Sequence, residues 1–125
     1  MGHRIIVIDD SETVREQVST VLTGAGYEIV EAGDGVDGAE VIRANAGASL
    51  AICDVNMPRL GGVEMLEKLA GAGNLTLPVL MLTTEGRPDL IERARAAGAK
   101  GWMVKPFKPT MLLAAVQKLV ALRSR

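Results

Sequence analysis

The chain has 125 residues, of which 48% are hydrophobic and 23% charged, with a formal net charge of −1. That length fits one domain, taken here as 1–125 with no output domain, large enough to bury a core without staples. The balanced charge offers no basic footprint for nucleic acid, and no apolar run approaches the ~18 residues of a membrane span. Cys53 is the single cysteine. It excludes an internal disulfide and, with no visible signal peptide, points to the reducing cytoplasm. His3, the sole histidine, lies near an end of the chain, where ends fray. It is expected to be exposed and without a metal or catalytic role.

The first apolar block, Ile5 to Ile8, is a β-branched run that reads as a strand. Thr13 to Leu22 places Val14, Val18, Val21 and Leu22 on one helical face, with Ser11 or Thr13 as its cap and Gly24 and Gly26 as its stop. Tyr27 to Glu31 predicts a second strand. Asp34-Gly35 then turns into a helix with Val36, Ala39 and Ile42 inward. Leu50 to Cys53 is a third strand. Pro58 and Gly61-Gly62 form a loop before a helix around Val63, Leu66 and Leu69. Val79 to Leu82 is the fourth strand. Pro88 opens a helix carrying Leu90, Ile91, Ala94 and Ala97, which Gly98 closes. Trp102 to Val104 is the fifth strand, and Pro109 starts a last helix with Leu112, Val116 and Leu119.

This is (βα) five times over. Short, wholly apolar strands with helices between them predict an α/β fold with a parallel sheet covered on both faces. The flavodoxin-like doubly wound strand order 2-1-3-4-5 suits this length. In such a sheet, ligands bind outside the carboxyl ends of the strands, where the order reverses. The residues at those ends are Asp9 and Asp10 after strand one, Asp54 after strand three, Thr83 and Thr84 after strand four, and Lys105 and Pro106 after strand five. Strands one and three are neighbours in this order, so three carboxylates converge. They repel one another unless a cation is present, and a few carboxylates with waters suit Mg²⁺. Three Asp contribute −3, and Mg²⁺ with Lys105 returns +3. A site so balanced tolerates an incoming phosphoryl group, with Asp54 as carboxylate nucleophile and Thr83 and Lys105 as hydrogen-bond donor and point charge. Taken singly, each is ordinary: Asp-Asp caps helices, Asn56-Met57-Pro58 turns chains, Thr-Thr caps, and a loop lysine is solvated. Four strand ends with complementary chemistry are harder to explain as capping. Cys53 reads as an inert packed thiol, and Met57, Met65, Met81, Met103 and Met111 as core filler.

Over essentially its whole length the chain resembles the receiver domains of two-component response regulators. The resemblance rests on Ile6-Val7-Ile8-Asp9-Asp10-Ser11, Cys53-Asp54-Val55-Asn56-Met57-Pro58, Met81-Leu82-Thr83-Thr84-Glu85 and Gly98 to Phe107. Within that family it looks most like stand-alone chemotaxis (CheY-like) regulators. The resemblance implies that Asp54 accepts a phosphoryl group from a histidine kinase. It further implies that Asp10, Asp54 and the backbone carbonyl of Asn56 bind Mg²⁺ directly, with Asp9 acting through water. Thr83 would swing toward the phosphoryl group, Lys105 would pair with it, and the peptide before Pro106 would be cis. Trp102 stands where a smaller ring usually turns inward on activation. Asn56 and Glu85 would flank the water that ends the signal.

The resemblance also implies a monomer that acts on a separate downstream protein, such as a flagellar motor switch, without itself being an enzyme acting on other substrates. The last helix runs Met111 to Val116 without a polar break, wider than one buried stripe needs. With Trp102 and the fourth helix it is expected to make an apolar face, and the resemblance implies that a partner docks there. Other readings of the architecture fit less well. An Asp-nucleophile phosphatase needs an acid where Asn56 stands, a flavodoxin needs more aromatic rings, and no P-loop is present. A phosphorelay intermediate, a phosphate sink and a non-phosphorylated interaction module remain as alternatives.

Overall fold

A computed structural model describes residues 3–123; residues 1–2 and 124–125, which complete the expected domain, lie outside the described residues. Strands and helices alternate throughout: β1 (Arg4–Ile8), α1 (Glu12–Gly24), β2 (Glu28–Ala32), α2 (Gly35–Ala44), β3 (Leu50–Cys53), α3 (Gly62–Gly71), β4 (Val79–Thr83), α4 (Pro88–Ala96), β5 (Ala99–Val104) and α5 (Pro109–Arg123). The five strands form one parallel sheet in the order β2-β1-β3-β4-β5, as the sequence predicts. Among the described residues, no helix is long and apolar enough to cross a membrane.

The three central strands are apolar at nearly every position because both faces are covered. Alternation along each strand divides them between two cores. Ile6, Ile8, Ala51, Cys53, Val79 and Met81 face Ile42, Leu66, Leu69 and Leu90 from α2, α3 and α4. Ile5, Val7, Leu50, Ile52, Leu80 and Leu82 face Val18, Leu22, Leu112 and Val116 from α1 and α5. Each fully buried side chain of this size contributes about 1.5–3 kcal/mol, so the middle of the sheet is the rigid part of the molecule and its strand ends are fixed points. The starts of α1 and α2 carry side-chain caps, and α4 opens on proline. Ser11 Oγ accepts from the Val14 amide at 3.2 Å, Asp34 Oδ1 accepts from the Asp37 amide at 2.8 Å, and Pro88 occupies the first turn of α4.

Four expectations need correction. Met111 is not core filler but 59% exposed. The fifth strand begins at Ala99, not Trp102. Ala99 and Gly101 have little strand propensity of their own, but the ladder to β4 holds them, with a register shift at Val79/Leu80. Val36 does not point inward; it is 37% exposed. Gly38 takes the inner position instead. A Cβ there would lie 2.8 Å from Ile8 Cγ2, so the close approach of α2 to β1 sets the helix rotation. His3 is not exposed but half-buried: its Nδ1 is 2.7 Å from Ser49 Oγ and its ring sits 6.4 Å from that of Tyr27.

Gly62, the first residue of α3, is pressed against the end of β3. A Cβ there would collide with the Asp54 carbonyl and sit 2.9 Å from Cys53 Sγ. Gly62→Ala is therefore expected to cost about 1–3 kcal/mol of overpacking, read from urea unfolding. Gly24→Ala, which meets nothing within 4 Å, should leave stability unchanged or raise it slightly. Equal midpoints for Gly62→Ala and wild type would show that α3 is free to move away from β3.

Candidate functional site

The residues singled out at four strand ends meet at one edge of the sheet. Asp9 follows β1 and is 3% exposed. Its amide donates to the Ala32 carbonyl at 3.1 Å, and its Oδ1 accepts from the Ser11 amide at 2.9 Å. Asp54 follows β3 and is also buried. Its amide donates to the Ile8 carbonyl at 3.0 Å, and its Oδ1 accepts from the Val55 amide at 2.6 Å. Lys105, after β5, reaches both: its Nζ donates to Asp9 Oδ2 at 2.8 Å and to Asp54 Oδ2 at 3.0 Å. Burial alone would lower the Lys105 pKa. Hydrogen bonds and Coulomb attraction from Asp9 and Asp54 outweigh it and hold the ammonium above the ordinary lysine value.

Asp10 is exposed, and carboxylate oxygens of Asp9, Asp10 and Asp54 lie within 4.8 Å of one another. The donor set is therefore three hard oxygen ligands, two held rigidly and one open to water. That fits a small hard cation such as Mg²⁺, which keeps several waters, and fits poorly a metal that seeks nitrogen or sulfur. The nearby Cys53 thiol is fully buried and donates to the Asp54 carbonyl at 3.2 Å. Desolvation, and then the charges of Asp54 and Asp9, push its pKa far upward, so it is a packed thiol and not a ligand.

Thr83 ends β4 fully buried, with its Oγ1 accepting from the Glu85 amide at 3.2 Å; Thr84 is exposed. The Lys105 amide donates to the Thr83 carbonyl at 2.8 Å, which ties the lysine's backbone to the same strand end. The Lys105–Pro106 peptide is cis. Asn56 and Glu85 line one open depression of about 540 Å³ together with Asp10, Met57, Arg87 and Arg93. A larger, apolar groove of about 850 Å³ runs from Lys105 past Phe107 and along Val14 and Val21 of α1.

Some contacts around the site were not read from the sequence. Trp102 is half-buried against the core, and its Nε1 donates to the Glu85 carbonyl at 2.9 Å. That bond joins the fifth strand to the loop carrying a depression residue. Arg59, in the loop after Asp54, adopts φ 67° and pairs with Asp34 at 3.1 Å, anchoring that loop to the start of α2. Arg15 reaches the Asp9 carbonyl. The Trp102 and Arg59 contacts are long-range and that of Arg15 spans 6 residues; none has a local periodicity to reveal it. The one available signal was a long basic side chain within a few residues of a strand-end acid.

Residues 5–117 match the model of the response regulator receiver domain. The chain belongs to that family. This receiver is 36% identical over 111 residues to the chemotaxis protein CheY1 of Helicobacter pylori, covering 87% of the chain and 90% of the relative. It is equally 36% identical over 119 residues to the transcriptional regulatory protein PdtaR of Mycobacterium tuberculosis, but there it spans only 57% of the longer protein. Among solved structures, that of Vibrio cholerae chemotaxis protein CheY4 superposes with a TM-score of 0.85 at 37% identity, covering 95% of this chain and 99% of that one. The (βα)5 receiver fold and its likeness to stand-alone CheY proteins thus agree with the architecture described above.

The lysine bridge makes a prediction about pH. The folded pKa of Lys105 lies above its unfolded value of about 10.4. Its contribution to stability is therefore complete below that value and is lost only as pH rises through the higher folded one. At neutral pH, Lys105→Met should destabilise the receiver by a few kcal/mol, toward the about 3–5 kcal/mol of a broken buried pair. In urea unfolding from pH 7 to 11.5, the difference from wild type should stay constant to about pH 10 and then shrink. A difference that already shrinks near pH 8 would mean that Asp9 and Asp54 do not hold the charge.

Proposed function

We propose that this receiver is a phosphorylation-driven signalling switch: Asp54 takes a phosphoryl group from a histidine kinase, and the altered surface is read by a separate downstream protein. The observation that carries this reading is Lys105 bridging Asp9 and Asp54 beside a third carboxylate, Asp10. In the transfer, an oxygen of Asp54 bonds to phosphorus while the donor's bond to phosphorus breaks and its electron pair leaves with the donor. Little other covalent chemistry falls to the protein, so position and charge do most of the work. The Val55 amide and Lys105 hold the Asp54 carboxylate in place, and Lys105 is close enough to turn to the phosphoryl oxygens as their negative charge arrives. Thr83 supplies a hydroxyl at the adjacent strand end. Mg²⁺, held by Asp10, Asp54 and the Asn56 carbonyl with Asp9 acting through water, would supply further charge neutralisation.

On this reading the chain changes only its own phosphorylation state, is no enzyme toward other substrates, and works as a monomer in the cytoplasm. The downstream protein docks on the face made by α4, β5 and α5, where Val104 is 52% and Met111 59% exposed beside the half-buried Trp102. Displacement of the Trp102–Glu85 link is a route by which events at Asp54 reach that face, as a shift between two arrangements. Likeness to CheY proteins favours control of motility, including a flagellar motor switch as the target. The equal identity to PdtaR, a transcriptional regulatory protein, is a likeness that extends beyond motility proteins.

Incubation with Mg²⁺ and a small phosphodonor such as acetyl phosphate, followed by intact-mass analysis, should show one added phosphoryl group. Asp54→Asn should lose it entirely. Labelling of the variant at the wild-type level would remove Asp54 from the mechanism.

The phosphoryl group is expected to be short-lived. Hydrolysis requires water in line with phosphorus, opposite the Asp54 oxygen, and the depression beside Asp10 is bordered by the polar Asn56 and Glu85, with Asn56 exposed. Replacing both with apolar side chains, Asn56→Met with Glu85→Leu, should slow phosphoryl loss by on the order of a hundredfold, the low end of a positioned proton-transfer contribution. Identical decay in wild type and variant would mean that these residues do not control the water.

A further inference from the structure

We infer that Arg15 is a positioning residue for the acidic pair, fixing the direction in which Asp10 leaves Asp9. Arg15 sits one turn into α1. Its Nη1 donates to the Asp9 main-chain carbonyl at 2.6 Å, and its Nε donates to Glu31 Oε1 on β2 at 2.9 Å. The side chain is 19% exposed, against 43% for Glu31, and Ser19 Oγ donates to the other Glu31 oxygen at 3.3 Å. The guanidinium is thus held at both ends of its fork, a geometry lysine cannot reproduce.

The consequence follows from the peptide plane. The Asp9 amide is pinned to Ala32 and its carboxylate to Ser11 and Lys105. The remaining freedom at Asp9 is the rotation of its carbonyl, and Arg15 removes it. Because the peptide bond is planar, that carbonyl sets where Asp10 begins. Asp10 is the exposed member of the three-carboxylate cluster, so it depends most on such help. Charge alone works in the opposite direction, since a cation beside the cluster repels a metal. Glu31 largely neutralises Arg15, so geometry outweighs charge.

This inference rests on reading the cluster as a Mg²⁺ site, and the test separates the two. Mg²⁺ affinity is measured by calorimetry at constant ionic strength for wild type, Arg15→Ala, Arg15→Lys and Glu31→Gln, with urea unfolding alongside. Both Arg15 variants should bind Mg²⁺ about tenfold more weakly, the low end for loss of a contact that orients a ligand. Glu31→Gln, which keeps the Arg15 contact to Asp9 but unmasks the guanidinium charge, should weaken binding by less than either Arg15 variant does. In phosphodonor labelling, the Mg²⁺ needed for half-maximal rate should rise by the same factor in the Arg15 variants, and the rate at saturating Mg²⁺ should stay within twofold of wild type. Wild-type affinity in Arg15→Ala, tighter binding there, or a lowered saturating rate with unchanged Mg²⁺ dependence would each overturn the positioning role. Absence of Mg²⁺ binding by wild type would overturn the reading of the site and this inference with it.

Discussion

Lys105 is 96 residues from Asp9 and 51 from Asp54 along the chain, yet its ammonium donates to both. Closing loops of that length costs entropy that the ion pairs alone do not return. The sheet makes the meeting possible. Parallel pairing of β1 with β3 places two carboxylates side by side, and β4 and β5 bring the lysine across to them. The order of strands is therefore the constraint on which the site depends, and the apolar strands that fix the order contribute to function only through it. The site is correspondingly rigid where it is buried, at Asp9, Asp54 and Thr83, and open where it is not, at Asp10 and Asn56. A rigid floor with an open rim suits the switch proposed above, in which a donor, water and a cation would enter in turn.

Much of this was legible in the amino-acid sequence because the fold repeats one simple pattern. Runs such as Ile5 to Ile8 and Leu50 to Cys53 are too short for helices and too apolar for exposed strands, so they declare a sheet covered on both sides. Once the strand order is granted, the candidate site residues are those that end the strands. What stayed hidden was set by contacts across elements. Nothing in Ala99-Lys100-Gly101 announces a strand; β4 imposes it. Val36 looks like a core residue, but Gly38 decides the rotation of α2 because only it lets the helix approach Ile8. His3, Arg15, Arg59 and Trp102 each find polar partners far along the chain, Glu31 in the case of Arg15, and such pairings leave no periodic trace.

The Trp102–Glu85 bond places the aromatic ring of β5 in direct contact with a loop that borders the depression beside Asp10. Two other links act on the same rim: the Glu85 amide binds Thr83 Oγ1, and Arg59 anchors the loop after Asp54 to the cap of α2. The surroundings of the site are thus held by a few individually modest hydrogen bonds, each worth about 0.5–1.5 kcal/mol. Differences of that size are enough to shift populations between arrangements without unfolding anything, because the apolar centre of the sheet is untouched.

Cys53 gives the molecule a built-in clock. Its thiol is fully buried on the central strand, bonded to the Asp54 carbonyl, and held far from thiolate by its surroundings. Oxidants and alkylating reagents act on an exposed thiolate, so they must wait until the middle of the sheet opens, which is the slowest and most costly opening a domain of this kind undergoes. The pace of Cys53 modification therefore measures how often the whole receiver comes apart, and the same burial shields the atoms next to Asp54 from redox chemistry during its working life.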